Sequence, residues 1–148
     1  MSSYENQIRQ ALKADIDAGL LQELGAAEEV FQLLTINYPP SGSKIDWMRV
    51  AGSIECHEDN RSQERARFVE FFDEMRTRFS LEGLVLYVCD GPIDLALAGA
   101  VDAMRRALPI LLEVPAHYYF VGPSASWCMS MTMEGDMAFG RAGVAPLH

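Results

Sequence analysis

The sequence predicts an α+β fold, in which a mainly antiparallel sheet carries N-terminal and interspersed helices packed on it. Three observations lead to this prediction. Helical periodicity occupies the first 34 residues, strand-like segments cluster late in the chain, and short turns join those segments. Short turns favour antiparallel pairing, and helices that do not alternate regularly with strands are typical of the α+β class.

The composition suits a single globular domain spanning residues 1–148. Hydrophobic residues make up 49% of the 148 residues and charged residues 22%, which is enough apolar material for one sizeable core. We expect a helical front at about residues 3–35, an α/β body at about residues 45–141 and a loose tail at residues 142–148.

The front is predicted to be helical throughout. Ser3 is suited to cap a helix from Tyr4 to about Ala18, whose apolar side chains recur every four residues at Ile8, Leu12 and Ile16. A second helical pattern runs from Leu20 to Leu34 around a break at Gly25. Two prolines and a glycine then make residues 36–43 a turn region that separates the front from the body.

The body opens with two short predicted strands, residues 46–50 and 53–57. A helix capped by Asn60 or Ser62 follows and runs to about Phe79. Its apolar residues form a stripe at helical spacing, which is typical of a helix packed on a sheet: Phe68, Phe71, Phe72, Met75 and Phe79. Arginines and acids are mixed along this helix, which indicates intrahelical ion pairs and not a nucleic-acid surface.

Three strands and one helix are predicted next. Residues 84–89 form a continuous apolar run, which is typical of a central strand covered on both faces. Residues 93–98 and 117–121 are also predicted as strands. Residues 101–112 between them have helical spacing, and Pro109 is expected to bend this helix or divide it into two short pieces.

The clearest local pattern is a β-hairpin from Trp127 to Gly140. Its first half alternates with the two-residue period of a strand, and Gly135 supplies the turn. We expect a two-residue loop, either Glu134-Gly135 or Gly135-Asp136. The return strand then places Met137 and Phe139 on the face of Cys128, Ser130 and Thr132. Since both faces carry apolar groups, the hairpin is predicted either to lie between layers or to offer one face to a partner.

Charge and targeting signals exclude several classes of function. Twelve Lys and Arg against 21 Asp and Glu give a formal charge of −9, which disfavours nucleic acid and anionic membranes and favours a basic protein as partner. The N-terminus lacks a basic start and an apolar signal region, and no apolar run approaches the roughly 20 residues of a membrane span. We therefore expect a cytoplasmic protein.

The sequence contains no recognisable catalytic motif, so we predict a protein that is not an enzyme and has no cofactor or metal. The adjacent Cys56 and His57 point to opposite faces of a strand, which does not suit a metal. A thiol nucleophile at Cys89 with His117 as base would require the fold to bring them together and leave the thiol ionisable. Three cysteines without paired spacing are typical of reduced thiols.

The late part of the chain resembles the C-terminal part of small bacterial immunity proteins, which accompany polymorphic toxins, including those of contact-dependent growth inhibition. The resemblance lies within residues 117–140, in His117-Tyr118-Tyr119-Phe120, Trp127-Cys128, Thr132 to Asp136, and Phe139-Gly140. It implies a cytoplasmic, non-enzymatic protein that binds and neutralises one cognate toxin domain.

Such a toxin would be cationic if it is a nuclease, and an acidic inhibitor would then gain electrostatic steering. We predict that Glu134 and Asp136 bind this partner, because a turn projects both from a supported hairpin. Asp15 and Asp17 of the first helix are the second choice. An acidic secretion-type chaperone that binds an effector segment is the alternative function, and the sequence leaves the oligomeric state open.

Overall fold

The structure, a computed structural model, describes residues 3–25, 27–42, 44–91 and 93–143. Five helices lie within these ranges: α1 (Ser3–Ala11), α2 (Lys13–Asp17), α3 (Ala27–Asn37), α4 (Glu64–Phe79) and α5 (Val101–Leu111). They are accompanied by nine strands: β1 (Leu21–Leu24), β2 (Pro40–Ser41), β3 (Lys44–Ile45), β4 (Ile54–His57), β5 (Leu84–Asp90), β6 (Ala96–Ala100), β7 (His117–Val121), β8 (Trp127–Met131) and β9 (Asp136–Arg141).

Seven strands form one antiparallel sheet, in the order β1-β6-β5-β7-β8-β9-β4. Strands β2 and β3 form a separate two-stranded hairpin. Helices pack on this sheet, so the predicted α+β class with a mainly antiparallel sheet is confirmed. The edges of the large sheet are β1, from the N-terminal segment, and β4, from the middle of the chain.

Side chains alternate between the two faces of the sheet, and each face has its own core. On β7, Tyr118 and Phe120 point into the larger core, which α1, α4 and α5 cover. Tyr119 and Val121 point into a smaller core, which α3 covers. The sheet is therefore buried on both faces, and this explains why β5 and β8 consist of nearly continuous apolar sequence.

The predicted aromatic stripe on α4 is confirmed as core. Its central residues are fully or almost fully buried, at 0 to 2% exposure: Phe68, Phe71, Phe72 and Met75. Phe68 and Phe72 both contact Phe120 of β7, with ring centroids 5.7 and 6.1 Å apart. The stripe thus joins α4 to the middle of the sheet.

The basic residues of α4 pair in two ways. Arg67 lies 3.7 Å from Glu70 and from Glu74 within the helix, as predicted. Further ion pairs join α4 to α5, because Asp73 binds Arg105 at 2.7 Å and Arg76 binds Asp102. Spacing within one helix cannot reveal these pairs, which form across the interface of two helices.

The predicted helix from Leu20 to Leu34 is wrong in its first half. Gly19 has φ of +79° and turns the chain, so that residues 21–24 form the edge strand β1, paired with β6. Leu21 is buried there opposite Gly99, where an added Cβ would come within 2.7 Å of a Leu21 methyl group. Packing of Leu21 over Gly99 overrides the helical pattern, and the second half of the prediction is confirmed as α3.

Other boundaries differ in smaller ways. Residues 47–49 form a 3₁₀ turn where a strand over 46–50 was predicted, whereas the second predicted strand is confirmed as β4. Asn60 accepts a hydrogen bond from the Ser62 amide, but it caps a short 3₁₀ turn that precedes α4. Helix α5 runs through Pro109 as one element, so the predicted division into two short pieces is wrong.

The register of the β8–β9 hairpin is a further correction. Met129 lies opposite Phe139 and Met131 opposite Met137, so that these apolar side chains share the face of the larger core. Cys128 and Ser130 share the other face with Gly140 and Ala138. The predicted register fails because the loop contains three residues, and one extra residue exchanges the two faces of the return strand.

Two predictions concern parts of the chain that the structure does not describe. They are the cap formed by the Ser3 side chain and the loose tail, of which residues 144–148 lie outside the described part. In the part of the chain that the structure describes, no helix combines the length and the apolar character that crossing a bilayer requires.

Candidate functional site

The β8–β9 turn is closed by two backbone hydrogen bonds. The Thr132 amide donates to the Asp136 carbonyl at 2.9 Å, and the Gly135 amide donates to the Thr132 carbonyl at 3.1 Å. Gly135 has φ of +84°, the left-handed conformation that a three-residue hairpin loop requires at this position. The Glu58 amide donates to the Gly135 carbonyl at 3.1 Å, so the loop after β4 is fixed against the turn.

Replacing Gly135 by Ala is expected to destabilise the protein by about 1–3 kcal/mol through backbone strain, with a further loss from a collision with the Glu58 carbonyl oxygen. Gly52→Ala is the matched control, because Gly52 has φ of +72° and nothing lies within 4 Å of its added Cβ. Urea unfolding measures both losses. Equal losses would contradict the predicted collision between the added Cβ at position 135 and the Glu58 carbonyl oxygen.

His57 joins β4 to this turn. Its Nδ1 lies 2.7 Å from Asp136 Oδ1, and its Nε2 lies 2.8 Å from Asp59 Oδ1. The hydrogen bond to Asp136, followed by the one to Asp59, raises the pKa of His57 above its ordinary value. When the ring is protonated, it donates to both carboxylates. It then joins Asp136, at the end of the β8–β9 turn, to Asp59 in the loop after β4.

The two hydrogen bonds of the His57 ring are expected to make the stability of the protein depend on pH. Because the folded-state pKa is raised, their contribution is fully present below the ordinary pKa of about 6.5 and is lost as pH rises through the raised pKa. His57→Gln should therefore lower Tm at mildly acidic pH and have a smaller effect at alkaline pH. An NMR titration of the His57 ring that gives a pKa at or below 6.5 would contradict this prediction.

Glu134 lies on the loop itself, and its carboxylate contacts two basic side chains. Lys44 Nζ of β3 is 3.4 Å away, and His117 Nδ1 of β7 is 4.0 Å away. A hydrogen bond with the Thr132 hydroxyl is the largest cause of a lowered pKa at Glu134, and Lys44 adds to it. Glu134 is consequently ionised at neutral pH while its side chain stays 58% exposed.

Carboxylates from three segments meet at this end of the sheet. We call the following residues the acidic tip: Glu55, Glu58, Asp59, Glu64, Glu134 and Asp136. Among the described residues, Glu55, Glu58 and Glu64 have no ion-pair partner, whereas the other members contact Lys44 or a histidine. Met133 and Met48 flank the tip and are 44% and 90% exposed. The surface therefore combines negative charge with exposed apolar groups.

The two residues predicted as the second choice lie elsewhere. Asp15 and Asp17 belong to α2, which packs near β1 at the opposite edge of the sheet from β4. Each already has a basic partner from its own chain, since Asp15 lies 3.8 Å from Arg106 and Asp17 lies 2.9 Å from Lys13. The structure thus separates Glu134 and Asp136 from Asp15 and Asp17, and the four do not form one surface.

The geometry does not support a thiol nucleophile at Cys89. Cys89 is 3% exposed within the larger core, and burial raises the pKa of its thiol. His117 alternates with Tyr118 on β7, so its side chain lies on the opposite face of the sheet. Cys56 and His57 also point to opposite faces, as predicted. Within the described ranges, no group of three or more His, Cys, Asp or Glu side chains could hold a metal ion.

A cavity of about 290 Å³ lies between α3 and the β2–β3 hairpin, on the face of the smaller core. We call it the α3 cavity. Phe31, Tyr38 and Tyr119 supply aromatic surface to it, while Asp90 and Lys44 supply charge. Sequence reasoning missed this cavity. An acid at the end of an apolar strand was the available signal, but the residues around it come from distant segments that only the fold brings together.

A second cavity, of about 210 Å³, adjoins the first, since Lys44, Ile45 and Tyr119 line both. Its other walls include Met48, Glu55 and Asp136 from the neighbourhood of the acidic tip. The α3 cavity and the acidic tip therefore belong to one continuous surface of the protein.

Comparison with known proteins does not add a family assignment: no protein-family model matches the chain, and no curated protein matches it significantly. The geometry of this surface and the charge of the chain are the basis for a functional proposal.

Proposed function

We propose that this protein is an immunity protein, which binds and neutralises a cationic toxin domain in the cytoplasm through the acidic tip. The observation that carries the proposal is that six acidic residues lie on or beside a turn supported by the sheet, on a chain with a formal charge of −9. A surface of this sign attracts basic partners and repels nucleic acid.

The construction of the tip suits recognition of a folded partner. Backbone hydrogen bonds within the turn and from Glu58 fix the loop, so little conformational entropy is lost when a partner docks. Exposed Met133 and Met48 supply apolar contact beside the charges, and interfaces are enriched in Met relative to the rest of the surface. Carboxylates in this setting would steer a basic toxin and cover its substrate-binding groove.

Co-production with a toxin tests the proposal. The gene immediately upstream is first read to establish whether it encodes a secreted protein that ends in a toxin domain. That domain is then expressed in a bacterium with and without this protein. We expect the protein to restore growth and to form a complex with the purified toxin domain that weakens as salt is raised. A catalytically inactive toxin variant controls for expression level.

Absence of both growth rescue and a complex would contradict the proposal. Binding to an extended segment that precedes the toxin domain, with no binding to the folded domain itself, would favour the secretion-type chaperone instead. The two functions differ in the state of the partner, so truncations of the partner on either side of the domain boundary distinguish them.

A further inference from the structure

We propose that the α3 cavity is a binding site for one arginine side chain of the partner, with Asp90 pairing its guanidinium group. This inference rests on the proposed function for the identity of the partner. The chemistry of the site can be tested without that partner.

Asp90 supplies the carboxylate of the proposed site. It ends β5 and points to the same face as Leu86 and Val88, because side chains on one strand alternate. Among the residues that the structure describes, its carboxylate has neither an ion-pair nor a hydrogen-bond partner. Lys44, which also lines the cavity, has its ammonium group 3.4 Å from Glu134 instead. An unpaired carboxylate at the mouth of a cavity is suited to receive a cation.

The aromatic residues of the cavity favour a guanidinium group. Phe31 and Tyr119 meet edge to face with centroids 6.0 Å apart and planes at 81°. Burial and the nearby Asp90 carboxylate contribute to a raised pKa of the Tyr119 hydroxyl, so the ring stays neutral. Arginine stacks on aromatic surfaces and pairs with a carboxylate through a planar fork of donors, whereas lysine offers a compact and strongly hydrated charge.

Position and size also agree with a single side chain. A volume of about 290 Å³ is at the lower limit for pockets that hold whole small molecules. Tyr38 fixes the end of α3 by donating from its hydroxyl to the Ala125 carbonyl at 2.9 Å, so one wall is preorganised. Because the adjoining cavity reaches the acidic tip, a basic partner docked on the tip can place an arginine here.

The test uses the isolated protein and N-acetyl-arginine methylamide as the probe. In ¹⁵N-resolved NMR titrations, we expect saturable shifts at the amides of Asp90, Tyr119 and Phe31. Asp90→Asn should reduce the affinity about tenfold, since hydrogen bonds to charged groups are the stronger class. N-acetyl-norleucine methylamide lacks the charge. Its affinity for the parent protein should be no higher than the affinity of the arginine probe for Asp90→Asn.

Phe31→Leu serves as a second variant, because it keeps an apolar wall and removes one ring. It is also expected to weaken binding of the arginine probe. Equal affinity of Asp90→Asn and the parent would overturn the proposal, as would shifts confined to the acidic tip. Tighter binding of N-acetyl-lysine methylamide than of the arginine probe would overturn the assignment to arginine.

The outcomes separate this inference from the proposed function. Selective binding of the arginine probe supports the cavity site even if the toxin domain forms no complex. Conversely, a toxin complex whose affinity is the same for the parent and Asp90→Asn, together with no binding of the probe, rejects the cavity site and leaves the immunity function standing.

Discussion

Replacing Glu134 or Asp136 by Ala is expected to weaken binding of the cognate toxin domain by roughly 2–5 kcal/mol each, or about 30-fold to several thousand-fold in Kd. Both side chains are exposed in the free protein, at 58 and 65%, and both lie on a turn that hydrogen bonds hold in place. Contact with a basic partner would bury the charges in a desolvated interface, where removing one carboxylate leaves the opposing cation unpaired. Isothermal titration calorimetry at fixed salt measures the change.

Asp15→Ala and Asp17→Ala are the matched controls, because they remove the same charge at the opposite edge of the sheet. We expect little change in affinity from either. Asp136→Ala also breaks the contact with His57, so Tm of each variant must be measured alongside binding. Unchanged affinity in Glu134→Ala and Asp136→Ala, with the fold intact, would exclude the tip as the contact surface and transfer the prediction to α2.

Replacing Phe72 by Ala should reduce the free energy of unfolding by about 3–5 kcal/mol. Phe72 is 0% exposed, and its ring contacts Phe120 edge to face. Truncation removes buried apolar surface and leaves a cavity between α4 and the sheet that these rigid elements cannot fill. A loss of this size is a large fraction of the 5–15 kcal/mol that is typical for a domain. Urea unfolding followed by circular dichroism gives the value.

Phe79→Ala provides the comparison on the same helix. Phe79 is only partly buried and stacks on Phe139 with centroids 4.7 Å apart, near Arg141. We expect a smaller loss than for Phe72, since less surface is removed from the core. A Phe72→Ala variant whose unfolding midpoint equals that of the parent would contradict the placement of this face of α4 against the sheet.

Elements with a strong local pattern were predictable from the sequence. The stripe on α4 repeats at helical spacing over several turns, and β5 and β7 are apolar or β-prone over their whole length, so one periodicity clearly dominates. The β8–β9 hairpin was recognisable from alternation followed by Gly135. These features depend on neighbours along the chain, and the α+β class follows from their order.

Among the candidate site residues, the sequence indicated that Glu134 and Asp136 share a turn, because only a few bonds separate them. It could not indicate that His57 and Glu58 bind that turn, since β4 reaches β9 across about 80 residues of chain. The α3 cavity could not be predicted from the sequence for the same reason. Its residues come from α3, the β2–β3 hairpin, β5 and β7.

Sequence alone thus determined the fold class, the core face of α4 and the acidic character of the hairpin turn, because periodicity and charge are properties of neighbouring residues. Tertiary structure decided that residues 21–24 are a strand, since a short amphipathic segment adopts the conformation that its partners allow, and here Gly99 of β6 leaves room for Leu21. The tertiary structure also decided the register of β9. One residue more or less in the loop exchanges the two faces of this strand, and packing against α4 selects which face points into the larger core.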